Sequence, residues 1–168
     1  MIPSFRCFPA ALILAAADIV TGCSMPTQRT PNVAEFTAPT YRPGVVHHIV
    51  LFRYKRDVGL EQRAAILQRF QALKLTALRD GRPYILAIHA GTQNSHEGLG
   101  QGFDQAFIVE FGSEGDRNYY VGTPAVTDPA FYDPVHHAFK KDVGPLLADE
   151  GALVFDFASN QIPTGAAK

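Results

Sequence analysis

Three regimes of hydrophobic patterning divide this chain. Phe8 to Val20 is a nearly unbroken apolar run, interrupted by Asp18. Ser24 to Gly44 has no periodicity and interleaves Pro26, Pro31, Pro39 and Pro43 with threonines. Proline removes backbone donors and disfavours helix at the preceding residue, so this stretch predicts a semi-extended tether over 23–44. From Val45 short strand-like and helix-like patterns alternate. Val45 to Tyr54 predicts a strand with Val46, His48, Val50, Phe52 and Tyr54 on one face and Val45, His47, Ile49, Leu51 and Arg53 on the other. Leu60 to Leu73 predicts an amphipathic helix with Leu60, Ile66, Leu67, Phe70 and Leu73 on its stripe. Tyr84 to Ala90 and Phe103 to Phe111 predict strands around a polar, glycine-bearing loop, with Phe103, Gln105, Phe107, Val109 and Phe111 sharing a face. Ser113 caps a short helix to Val121, and Thr123 to Pro134 is too proline-rich for regular structure. Val135 to Leu147 predicts a last helix and Leu153 to Phe157 a last strand.

The order β-α-β-β-α-α-β predicts an α+β fold, a ferredoxin-like plait with a four-stranded antiparallel sheet over 45–157 and a frayed tail over 158–168. Helices cover one face of such a sheet. Both faces of the first strand are largely apolar, so the second face calls for another sheet, and a second copy of the chain supplies it most simply. The expectation is a homodimer pairing sheet to sheet as a dimeric α/β barrel.

The N-terminal run changes where this domain is expected to work. Arg6 precedes an apolar segment of signal-peptide length, too short to span a bilayer. It ends in Val20-Thr21-Gly22-Cys23, which resembles the lipobox of bacterial lipoproteins and implies a signal peptide over 1–22 with acylation of Cys23. Cleavage after Ala15-Ala16-Ala17 by ordinary signal peptidase is the alternative, and both export the chain. The only cysteines are Cys7 and Cys23, so lipidation leaves a mature domain free of thiols. Ser24 after the cysteine points to the outer membrane, facing the periplasm, in a Gram-negative setting. A formal charge of −1 without a basic cluster argues against nucleic acid as a partner.

Several segments then share one order: His48-Ile-Val-Leu-Phe-Arg-Tyr-Lys55, Asn94 to Phe103 followed by Val109-Glu-Phe111, Asp116-Arg-Asn-Tyr-Tyr-Val121, Asp133-Pro-Val-His-His-Ala-Phe139, and Leu153-Val-Phe-Asp-Phe157. Together they resemble the stress-responsive dimeric α/β barrel (Dabb) family. That resemblance implies homodimers and, from the family's plant olivetolic acid cyclases, an aldol-type cyclisation carried by histidines and a tyrosine. By position these correspond to His48, to His136 of a His-x-x-Phe pattern, and to Tyr120, with Tyr119 the alternative. The strand-three histidine of those enzymes is replaced by Gln105, and the stretch between Tyr120 and His136 is longer.

The residues read independently agree on a place. His136 and Phe139 lie on one helical stripe facing the core. His48 shares its strand face with Val50 and Phe52, and Gln105 shares its face with Phe107. With Phe70 and Phe139 these predict a mainly apolar pocket in which imidazoles serve acid/base work and a tyrosine hydroxyl steadies an oxyanion. No metal site is predicted: His47 and His48 point to opposite strand faces, and His136 and His137 are splayed about 100° on a helix. His89, His96 and Glu97 offer at most a weak cluster. Gly98, Gly100 and Gly102 lack the lysine and helix start of a phosphate loop, and no cofactor is expected. The expected function is binding of a small hydrophobic or aromatic molecule, in keeping with a stress response. The alternatives are an aldol-type cyclase or cofactor-free oxygenase using His48, Tyr120 and His136, and a non-catalytic dimeric scaffold.

Overall fold

The computed structural model describes residues 29–159. The signal run 1–22, Cys23 and the tail from 160 lie outside the described residues. The ordered unit starts earlier than the patterning suggests, at Pro31 rather than Val45. Asn32 caps a short helix α1 (Val33–Phe36) through a reciprocal capping box with Glu35. The following turn docks on the body of the protein. Asn118 Nδ2 donates to the Phe36 carbonyl at 2.7 Å, Arg79 Nη1 to the Thr37 carbonyl at 2.6 Å, and Thr37 is fully buried. The prolines end the helix there without freeing the segment as a tether.

Strand β1 (Pro43–Tyr54) buries Val46, His48, Val50, Phe52 and Tyr54 as the alternation predicts. Helix α2 (Leu60–Thr76) follows and buries Ile66, Phe70 and Leu73. Leu60, expected on the stripe, is 82% exposed at the first position of the helix. A small hairpin, β2 (Leu78–Arg79) and β3 (Arg82–Pro83), turns at Asp80-Gly81, both at positive φ; this Asp-Gly turn signal is legible in the sequence but lay outside the predicted strands. Strands β4 (Ile85–Thr92) and β5 (Gln105–Ser113) carry the hairpin arm of the sheet, and Phe103 lies before β5 rather than in it. Helix α3 (Glu114–Val121) is capped by Ser113. A 3₁₀ turn (Pro129–Phe131) leads to α4 (Pro134–Val143), which ends four residues before the predicted Leu147 because Pro145 cannot donate to a continuing helix. The last strand, β6 (Leu147–Ala158), is longer than predicted at its N-terminal end, since an edge strand tolerates the polar stretch Asp149-Glu150.

The sheet order is β4-β5-β1-β6 with every neighbouring pair antiparallel, the ferredoxin-like arrangement. The core lies between this sheet and α2, α3 and α4. Phe70 stacks on Phe107 at 4.0 Å between ring centroids, with Phe139 edge-on to Phe70 at 5.4 Å. The opposite face of the sheet has no cover among the described residues. It presents Ile49, Leu51 and Ile108 half-buried, and Leu153, Phe155 and Phe157 exposed.

Candidate functional site

Antiparallel register sets the first half of the site. His48 of β1 pairs directly with Asp156 of edge strand β6, so both side chains rise on the helix-covered face. His48 Nδ1 meets Asp156 Oδ1 at 2.6 Å. The other carboxylate oxygen accepts from Arg117 Nη1 of α3, and Arg117 Nε donates to Asn118 Oδ1 at 2.9 Å. Burial pushes the Asp156 carboxyl up, but His48 and Arg117 outweigh it and hold the group below its usual value. An ionised Asp156 fixes the imidazole with Nδ1 as donor. Nε2 makes no hydrogen bond among the described residues, so its lone pair is free to accept.

The start of α4 sets the second half. Asp133 caps the helix by accepting from Val135 N at 2.7 Å and His136 N at 2.9 Å, and it accepts the Tyr84 hydroxyl as well. With Pro134 in the first turn, this fixes the direction of His136. His136 Nδ1 donates to the Tyr120 carbonyl at 2.6 Å, and its ring lies flat on the Tyr120 ring at 3.6 Å. Burial lowers its pKa from 6.5 to about 3 in spite of that hydrogen bond, with Lys140 and His48 nearby adding to the effect. His136 is therefore a neutral imidazole whose Nε2 can only accept.

His48 and His136 border one cleft of about 470 Å³ between the sheet, α4 and the segment after α3. Val50, Phe52, Phe70 and Phe139 supply much of its apolar wall, as the sequence predicts. Thr123 and Pro124, from the proline-rich insertion, form another wall and leave the cleft open. Three expected members stand outside this lining. Tyr120 is entirely buried behind His136, and its hydroxyl has no hydrogen-bond partner among the described residues. Burial keeps that phenol protonated, and its placement puts it out of reach of a molecule in the cleft. Gln105 sits at the far end of the sheet, accepting from Tyr54 Oη at 2.6 Å and donating to the Arg63 carbonyl at 3.0 Å. Phe107 is sealed in the core beneath Phe70. Asp156, Arg117 and Lys140 were not singled out from sequence. A lone carboxylate within the apolar run Leu153 to Phe157, and a lysine one turn after His136, were the available signals. Of the weak cluster that His89, His96 and Glu97 could offer, His89 lies near Glu110, at 3.8 Å, on the face of the sheet away from the helices. Among the described residues no group of three or more acidic, His or Cys side chains is placed to hold a metal ion.

Comparison with known proteins places the fold. A crystal structure of an Arabidopsis thaliana protein aligns with a TM-score of 0.52 at 24% identity, over 73% of this chain and 99% of the other. A hydroxynitrile lyase from Passiflora edulis aligns with a TM-score of 0.54 at 24% identity, over 71% of this chain and 96% of the lyase. A Dabb-family protein of ferredoxin-like fold from Mesorhizobium loti aligns at 21% identity, over 68% of this chain and 96% of the other, with a TM-score of 0.47. No curated protein matches the chain. The family model of the stress-responsive A/B barrel domain matches residues 46–159, from the first buried residue of β1 to one residue past β6, and the chain belongs to that family, Dabb.

Proposed function

We propose that this protein is an exported homodimer, anchored through a lipid on Cys23, that binds a small, mainly apolar molecule in the cleft beside His48. The observation that carries this reading is the cleft itself. It keeps about 470 Å³ open within an aromatic and aliphatic wall and places two imidazoles at its border. The homodimer is supported by the uncovered sheet face, where Phe155 is 59% and Phe157 43% exposed beside Leu153. The lipid anchor is supported by the Val20-Thr21-Gly22-Cys23 sequence. Work in the envelope suits a stress-linked binding protein that needs neither a cytoplasmic cofactor nor a metal.

A second reading, proton-transfer catalysis on the bound molecule, is favoured by the Asp156–His48 pair. A carboxylate on Nδ1 orients the ring and stabilises the imidazolium formed when Nε2 takes a proton from an acidic C–H or O–H of the ligand. His136, held neutral, orients the ligand by accepting a hydrogen bond. Tyr120 takes no direct part in this scheme.

Both readings are tested by titrating the ¹⁵N-labelled protein with indole and benzyl alcohol and following amide shifts. Shifts confined to β1, β6 and α4 residues at the cleft support binding. No shift at millimolar probe rejects the cleft as a site for neutral apolar molecules. Turnover lost in His48→Ala at unchanged affinity supports catalysis; unchanged turnover rejects a catalytic role for His48.

A further inference from the structure

One charged group in the cleft plays no part in the His48 pair. Lys140 stands one helical turn after His136 on α4 and borders the same cleft. Its Nζ donates to the Val121 carbonyl at 2.6 Å and to the Thr123 carbonyl at 2.7 Å. An ammonium has three donors. Two are taken by the carbonyls at the C-terminal end of α3, and the third has no acceptor among the described residues. The contrast with neighbouring cations is informative. Arg63, Arg79 and Arg117, also held partly inside the fold, meet Asp104, Asp116 and Asp156 respectively. Lys140 meets no carboxylate among the described residues. The acid that does border the cleft, Asp156, is already shared by His48 and Arg117. Partial burial lowers the Lys140 pKa.

Two carbonyl dipoles hold Nζ in place without neutralising it. The ammonium is thus fixed beside a largely apolar cleft whose one carboxylate, Asp156, is already paired, so water screens its charge poorly and an arriving anion gains most. We propose that the cleft selects an apolar molecule bearing a carboxylate, with the carboxylate accepting from the free N–H of Lys140 and the hydrocarbon part lying along Phe52, Phe70 and Phe139. This rests on the cleft being a ligand site and adds the class of ligand. Neutral His136 is compatible with it only if the carboxylate sits at the Lys140 end, because Nε2 and an anion are both acceptors. The ligand is therefore oriented, with its apolar end or a hydroxyl toward His48 and His136.

The test uses the full chain in detergent micelles, with titration of each probe into micelles alone as the blank. Calorimetric titration with 4-phenylbutanoate, its methyl ester and 4-phenylbutanol compares one hydrocarbon body with three head groups. The acid is expected to bind at least tenfold more tightly than the ester and the alcohol. Lys140→Met is expected to bring the acid down to the affinity of the ester while leaving the ester unchanged, and Lys140→Arg to keep the preference. Equal binding of acid and ester by the unsubstituted protein overturns the carboxylate assignment and leaves the cleft as a neutral-ligand site. The wild-type comparison decides this even if Lys140→Met fails to fold. Failure of all three probes to bind overturns the cleft reading and the carboxylate assignment together.

Discussion

Acidification tests how His136 is held. Its imidazole is buried, donates from Nδ1 to the Tyr120 carbonyl at 2.6 Å, and has its pKa lowered from 6.5 to about 3. Between those two values the unfolded chain binds a proton at this residue that the folded chain refuses, so stability rises with pH across the window and is lost as pH falls. With an unfolded value near 6.5, going from pH 7 to pH 5.5 removes about 1.3 kcal/mol and going to pH 4.5 removes about 2.5 kcal/mol. Because pH 4.5 still lies above the folded value, this loss is governed by the unfolded pKa. His136→Asn keeps an N–H near the position of Nδ1 and removes the titration. Urea unfolding followed by circular dichroism at pH 7, 5.5 and 4.5 supplies both curves, and their difference cancels the other titrating groups. The wild-type curve should fall more steeply than that of His136→Asn by about 2.5 kcal/mol at pH 4.5. Parallel curves would show that His136 protonates in the folded state, and the neutral acceptor facing the cleft would have to be abandoned.

Asp156→Asn should cost about 1.5–3 kcal/mol at pH 7, since charge-assisted bonds to His48 and Arg117 are weakened. Because the folded pKa of Asp156 is depressed, its contribution is present above the ordinary carboxylate value and fades as pH falls through the folded value, so the gap between the two proteins should narrow there. A gap independent of pH in urea titrations would rule this out. Phe70→Ala removes the ring stacked on Phe107 and edge-on to Phe139 and should lower stability by about 3–5 kcal/mol; a loss under about 1 kcal/mol would mean that this stack is not the centre of the core. At Gly115 an added Cβ would lie 1.8 Å from the Ala38 carbonyl oxygen, whereas Gly59 has nothing within 4 Å. Gly115→Ala should cost about 1–3 kcal/mol and open the Phe36–Thr37 bond to chymotrypsin, with Gly59→Ala as the control; unchanged cleavage would deny that the segment after Pro31 is part of the domain. Phe155→Glu should convert a dimer to a monomer in sedimentation velocity, and a retained dimer would place the interface elsewhere than the uncovered sheet face.

Period alone determined much of this protein. Alternation in Val46 to Tyr54 and in Gln105 to Phe111, and the stripe of His136, Phe139 and Val143, follow from local geometry, because a side chain's face is set by its own position in a strand or helix. From these the ferredoxin-like order, the two-faced sheet and the inward aim of His48 and His136 were legible. What needed the tertiary structure depends on which strand lies beside which, and in what register. Asp156 becomes the partner of His48 only because β6 pairs antiparallel with β1 at that residue. Gln105 and Phe107 share the buried face with His48, yet the distance along the sheet and the depth of the core separate them from the cleft, and no periodicity reports either. Tyr120 lies behind His136 because α3 and α4 pack ring on ring. Lys140 draws its role from carbonyls left at the end of α3, groups that every residue carries and that only the folded chain brings together. The segment from Pro31 to Arg42 reads as a linker because prolines interrupt it and its apolar residues follow no strand or helix period. It is ordered instead by hydrogen bonds to Arg79 and Asn118, residues far away in the sequence.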